Sequence, residues 1–119
     1  MKKIGIIGSR RRDEEEDFQK VSDEFLLNYL KGDSIISGGC PKGGDRFAER
    51  LAKLYRVPIK IYHADWKKYG KPAGPIRNTD IAKESDILIA CVSSDRTGGT
   101  EDTIKKFKKF HPDGKVVLV

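Results

Sequence analysis

A chain of 119 residues has the length of one domain and is long enough to bury one core. Its 37% hydrophobic content falls in separated runs, none near the ~20 apolar residues of a membrane-spanning helix, so no such helix is expected. The net charge of +6 suits solubility, an acidic ligand or nucleic acid alike.

In chain order, residues 3–7 read as a buried strand that ends in Gly8-Ser9-Arg10. No leader segment is expected ahead of it. A helix follows from Asp13 to about Leu30, with Phe18, Val21, Phe25 and Tyr29 at three- and four-residue spacing and an acidic start that suits the helix dipole. Arg11 and Arg12 are expected to face solvent, and Gly32 ends the helix. Residues 34–37 form a second strand that runs into Gly38-Gly39-Cys40-Pro41-Lys42-Gly43-Gly44-Asp45. Asp45 reads as the N-cap of a helix to about Tyr55, which buries Phe47, Ala48, Leu51, Ala52 and Tyr55. Residues 58–62 are a third strand, and residues 63–75 an irregular stretch, the only long connection. A helix over residues 76–84 starts just after Pro75. Residues 86–92 are near-continuously apolar, as buried parallel strands are. Thr97-Gly98-Gly99-Thr100 leads into a last helix over residues 100–110, and residues 115–119 form the last strand.

This alternation specifies a single three-layer, Rossmann-like α/β domain over residues 1–119, with a five-stranded parallel sheet in order 3-2-1-4-5 and helices on both faces. The three glycine-bearing loops then emerge together at the C-terminal edge of the sheet, where open α/β sheets bind ligands. Glycine there lets backbone N–H groups approach a ligand, and the expected ligand is anionic, a nucleotide-like phosphate. The chain has no GxxxxGK[ST] loop, and Gly5-Ile6-Ile7-Gly8 lacks the spacing of a dinucleotide fingerprint.

Individual residues carry alternative readings. Gly98, Gly99 and Thr100 precede a helix and offer N–H groups to a phosphate, while Thr100 also serves as an N-cap. Arg77 either grips a phosphate with its forked guanidinium or makes a surface ion pair. Asn78 either contacts the ligand or caps the local backbone. Gly8, Ser9 and Arg10 end the first strand, beside the expected crevice between strands one and four. Asp45 is either a structural cap or a partner for a ribose hydroxyl. Trp66, after Asp65, either faces a base or plugs the long loop. Cys40, near Lys42, is either a reactive thiolate or a small residue that fits its loop. His63 and His111 lack ligand spacing, so no metal site is expected. Two isolated cysteines, Cys40 and Cys91, suit a reducing cytoplasm. The lysine-rich segment 105–110 reads as a solvated amphipathic helix.

Gly8-Ser9-Arg10, Ser37-Gly38-Gly39-Cys40-Pro41-Lys42-Gly43-Gly44-Asp45 with Ala48-Glu49, Ala64-Asp65-Trp66, Gly70-Lys71, Ala73-Gly74-Pro75-Ile76-Arg77-Asn78 and Gly99-Thr100 together resemble the YspA-like branch of the SLOG superfamily, in order and over nearly the whole chain. That superfamily is Rossmann-like and includes the LOG nucleoside-monophosphate phosphoribohydrolases and relatives of the DprA/Smf DNA-processing proteins. The resemblance implies binding, or sensing, of a nucleotide or nucleotide-derived ligand through Gly8, Ser9, Arg10, Gly38, Gly39, Asp45, Trp66, Arg77, Asn78, Gly98, Gly99 and Thr100. LOG enzymes carry Pro-Gly-Gly-x-Gly-Thr-x-x-Glu, whereas this chain reads Asp95-Arg96-Thr97-Gly98-Gly99-Thr100-Glu101-Asp102-Thr103, with Thr103 at the glutamate's place. An N-glycosidic hydrolase, the alternative, would therefore draw its carboxylate from Glu101, Asp102 or Asp45. A nucleic-acid binding module is the third reading, from the charge and the DprA relationship. No cofactor is required, Mg²⁺ enters only with a phosphate ligand, and self-association as a homodimer is in keeping with the superfamily.

Overall fold

Strand β1 (Lys3–Gly8) is the central strand because it carries apolar side chains on both sides and two glycines where other elements press against it. The computed structural model describes residues 1–119. After β1 come α1 (Glu15–Asn28), β2 (Ser34–Ser37), α2 (Gly44–Tyr55), β3 (Ile59–Ile61), α3 (Trp66–Tyr69), α4 (Ala73–Glu84), β4 (Ile87–Cys91), α5 (Gly99–Phe110) and β5 (Lys115–Leu118). The sheet runs β3-β2-β1-β4-β5 with every pairing parallel, as the alternation of elements requires. Winding reverses at β1, so β1 and β4 part at their C-terminal ends and leave a crevice there.

The period-two alternation of strand side chains divides the core between two faces. Ile4, Ile6, Ile35 and Ile89 pack with Phe18, Val21, Phe25, Phe47 and Leu51 of α1 and α2. Ile7, Ile36, Leu88 and Ala90 pack with Ile81, Ile104 and Phe107 of α4 and α5. The edge-on contact of Phe18 with Phe47, ring centres 5.6 Å apart, joins α1 to α2. No helix is long and apolar enough to cross a membrane.

Five local expectations are corrected. Asp45 does not cap α2: Gly43 is at the cap position and Asp45 is the second helical residue. The chain enters α2 at a left-handed Gly43 (φ 74°) and lays Gly44 directly on the end of β1. Thr100 likewise is the second residue of α5, because the helix begins at Gly99 after Gly98. Residues 63–75 are not irregular throughout. Asp65 accepts a hydrogen bond from the Lys68 N–H and caps the short α3, and α4 starts at Ala73. Pro75 is tolerated as its third residue, since N–H groups of a first turn have no intrahelical acceptor. Tyr55, expected to be buried, is 45% exposed at the end of α2. The start of α1 also shifts, from Asp13 to Glu15. Glu14 and Asp17 form a reciprocal capping box there, and Asp13 is freed to bind elsewhere.

A Cβ on Gly44 would lie 2.1 Å from the Ile7 carbonyl carbon and 2.2 Å from the Gly8 nitrogen, both backbone atoms. Gly44→Ala is therefore expected to cost about 3 kcal/mol or more in urea unfolding. Gly99→Ala meets only the Asn78 side chain, at 3.6 Å, and should change stability by less than about 1 kcal/mol.

Candidate functional site

A cleft of about 290 Å³ opens at the C-terminal edge of the sheet between β1 and β4. Its walls come from the exit of β1, the β2–α2 loop, α4 and the first turn of α5, which are the three glycine-bearing loops plus one helix face. Gly8, Ser9, Arg10, Asp45, Arg77, Asn78, Gly98, Gly99 and Thr100 all line it, so the structure gathers nine of the expected ligand residues at one place.

Arg77 is aimed by α4 and by a backbone carbonyl. Its Nη1 donates to the Gly38 carbonyl at 2.8 Å and its Nε to Asn78 Oδ1 at 3.1 Å, while Nη2 makes no hydrogen bond within the chain. No carboxylate pairs with Arg77, so the surface ion pair considered from sequence is absent. Arg10 is exposed and likewise has no partner. Asn78 is buried and bridges helices: its Nδ2 donates to Asp102 Oδ2 at 3.1 Å and toward the Gly99 carbonyl at 3.4 Å. Its role is thus to lock α4 to α5 and to steer Arg77.

Gly38 and Gly39 stand behind the cleft rather than on its surface. A Cβ on Gly38 would meet Asp45 Oδ2 at 2.8 Å and Arg77 Nη1 at 2.9 Å, so this glycine lets those two side chains converge. Gly39 packs against Ile61 and His63. Trp66 does not reach the cleft. It is 58% exposed on α3, with its ring edge over Gly74, outside the cleft wall.

Asp45 is buried at the floor. Its Oδ1 lies 2.9 Å from Ser37 Oγ, and its Oδ2 accepts from the Cys40 N–H at 3.0 Å. Burial raises its pKa above the ordinary value, against the pull of those hydrogen bonds and of Arg77. The two candidate catalytic acids are turned away. Glu101 is held by a two-pronged ion pair with Arg96, and Asp102 by Asn78 and Lys106. Asp45 is the one carboxyl that lines the cleft.

Sequence reasoning missed the lining side chains Arg11, Thr97 and Thr103 and the apolar Ile7 and Ile81. Cys40, read from its loop alone, is also on the wall. Helical spacing held a signal for two of these, since Thr103 is four residues after Gly99 and Ile81 four after Arg77. Arg11 keeps the exposure expected of it but pairs with Asp95, which also accepts from Ser93 and Thr97. The Arg11 guanidinium and the two hydroxyls hold the Asp95 carboxyl well below the usual carboxylate range. Arg12 is not solvent-facing: it pairs with Asp17 and donates to the carbonyls of Val92 and Val119, tying the β1 exit to β4 and β5. No group of three or more His, Cys, Asp or Glu residues could hold a metal.

The chain is similar to the Gene 61 protein of Mycobacterium phage D29, with 27% identity over 115 residues, covering 92% of this chain and 90% of that protein. No protein-family model and no solved structure matches it.

Asn78→Ala removes the α4–α5 bridge to the Asp102 carboxylate and the acceptor of Arg77 Nε, so it should lower unfolding stability by roughly 1–3 kcal/mol. Asp102→Ala, at a half-exposed site that Lys106 shares, should cost less than Asn78→Ala in the same denaturation experiment.

Proposed function

We propose that this protein binds a nucleotide or nucleotide-derived phosphate ester in the cleft between β1 and β4, as a binding or sensing domain. The observation that carries this reading is the pairing pattern of the arginines. Of the eight, Arg11, Arg12, Arg46, Arg50 and Arg96 have carboxylate partners; Arg10, Arg56 and Arg77 have none, and two of these three, Arg10 and Arg77, are on the cleft. An arginine with a free Nη2, held in place by Gly38 and Asn78, is pre-organised for an oxyanion. The first turn of α5 adds N–H groups without intrahelical acceptors and the positive end of the helix dipole. Ser9, Thr97 and Thr100 add hydroxyl-bearing side chains to the same walls. The YspA-like SLOG resemblance supports the same class of ligand.

The hydrolase alternative has less support, since Glu101 and Asp102 are engaged outside the cleft and Thr103 takes the place of the LOG glutamate. The nucleic-acid reading has less as well, because no aromatic side chain lines the cleft for a base to stack on.

Calorimetric titration with nucleoside mono- and diphosphates, NAD and ADP-ribose tests the proposal. At least one is expected to bind, and Arg77→Ala should weaken it about 10- to 100-fold, the loss of a charged hydrogen bond. Equal affinity in the variant removes Arg77 from the site, and no binding by any of them contradicts the reading.

A further inference from the structure

The floor of the cleft holds a chain of three buried oxygens with a shortage of protons. Ser37 Oγ lies 2.7 Å from the Ile6 carbonyl oxygen and 2.9 Å from Asp45 Oδ1. Ser37 and Ile6 are fully buried and Asp45 nearly so. A hydroxyl carries one proton. With Asp45 ionised, that proton fills one of the two gaps and leaves the other as a bare oxygen–oxygen contact. With Asp45 protonated on Oδ1, the acid donates to Ser37, Ser37 donates to Ile6, and both gaps are filled. Oδ2 remains free to accept from the Cys40 N–H. The absence of an Asp45–Arg77 ion pair, although both side chains converge on Gly38, fits the same neutral state.

This inference rests on the reading of the cleft as an anion site. We propose that Asp45 is its proton-coupled element: as a neutral acid it leaves Arg77 to the ligand, as a carboxylate it opposes the ligand, and so at pH values where Asp45 is ionised in the free protein the anion binds with uptake of a proton on Asp45. The balance is a single proton taken from solvent onto Oδ1, with no other bond made or broken. Burial, which raises the Asp45 pKa, acts in the same direction.

The other charges around Asp45 set the sign. From α4 comes Arg77, and from the β1 exit Arg10 and Arg11, of which only Arg11 is neutralised, by Asp95. On the β2–α2 loop are the Cys40 thiol and Lys42. On α2 itself, Arg46 is turned away to Asp13. His63, beyond β3, packs against Gly39, and on α5 Asp102 is committed to Asn78 and Lys106. Asp45 is thus the negative group that an incoming anion meets, and the anion raises its proton affinity.

Sulfate is the probe, because its charge does not change between pH 4.5 and 8, and binding is followed by NMR shifts of the protein. The carboxyl carbon of Asp45 in the sulfate-free protein is expected to titrate above the ordinary ~3.9 of an aspartate, and saturating sulfate should move its midpoint up by about one unit. Sulfate affinity should then rise about tenfold as pH falls through that midpoint. Asp45→Asn presents an amide donor to Ser37 and a carbonyl to Cys40, and should keep the low-pH affinity at every pH. Because a raised pKa means that ionising Asp45 costs the folded state as pH rises, the variant is expected to fold at neutral pH. If it does not, the carbon titration of the native protein with and without sulfate decides the matter alone. A midpoint in the ordinary range, a midpoint that sulfate does not move, or a pH slope retained in Asp45→Asn overturns the coupling while leaving the anion site standing. No binding of sulfate or mononucleotide at any pH overturns both.

Discussion

The close approach of two backbones is the constraint on which the site depends. The first turn of α2 lies on the end of β1 with Gly44 against Ile7 and Gly8, a distance at which no side chain fits. That contact draws the β2–α2 loop over the crevice and brings Asp45 under it. It also sets the Gly43 N–H against Asp13, which accepts at 2.7 Å and binds Arg46 as well. Those hydrogen bonds and Arg46 hold the Asp13 carboxyl below its ordinary range. A helix entrance and a strand exit are thereby locked together without an apolar side chain between them.

Around this junction the charged residues divide into two kinds. One kind ties loops to strands. Arg12 reaches the carbonyls of Val92 and Val119, and Arg11 joins the β1 exit to the Asp95 turn. Asp33 joins Lys2 and Leu30 at the opposite edge of the sheet. The other kind, Arg10 and Arg77, is left unpaired on the cleft, in keeping with the anion site proposed above. Surface ion pairs contribute little to stability one by one. Their effect here is positional, because they fix loops to strand ends around the cleft.

The fold was legible because two signals agreed. Strands with buried residues on both faces alternate with amphipathic helices, and glycine marks three strand ends, so the sheet order followed from chain order and handedness alone. The gathering of nine ligand candidates at the C-terminal edge followed from that topology. What was not legible depends on orientation within a turn. A carboxylate just before a helix usually caps it, and the sequence around Asp45 suggests a cap as readily as a ligand contact. The two glycines ahead of Asp45 shift the helix start and turn its side chain inward. Glu101 and Asp102 were plausible acids by proximity in sequence, but their rotation about α5 gives them to Arg96, Asn78 and Lys106. Trp66 belongs to a short helix that periodicity over four residues cannot announce.

The most direct measurement of the central claim is a ¹H–¹⁵N correlation map of the protein titrated with a nucleoside monophosphate. Saturable shifts are expected at the amides of Gly8, Ser9, Gly99 and Thr100 and at the Arg77 Nε, with the Trp66 indole unmoved. Shifts centred on Trp66 and α3, or no saturable shift at the β1 and α5 loops, would contradict the account.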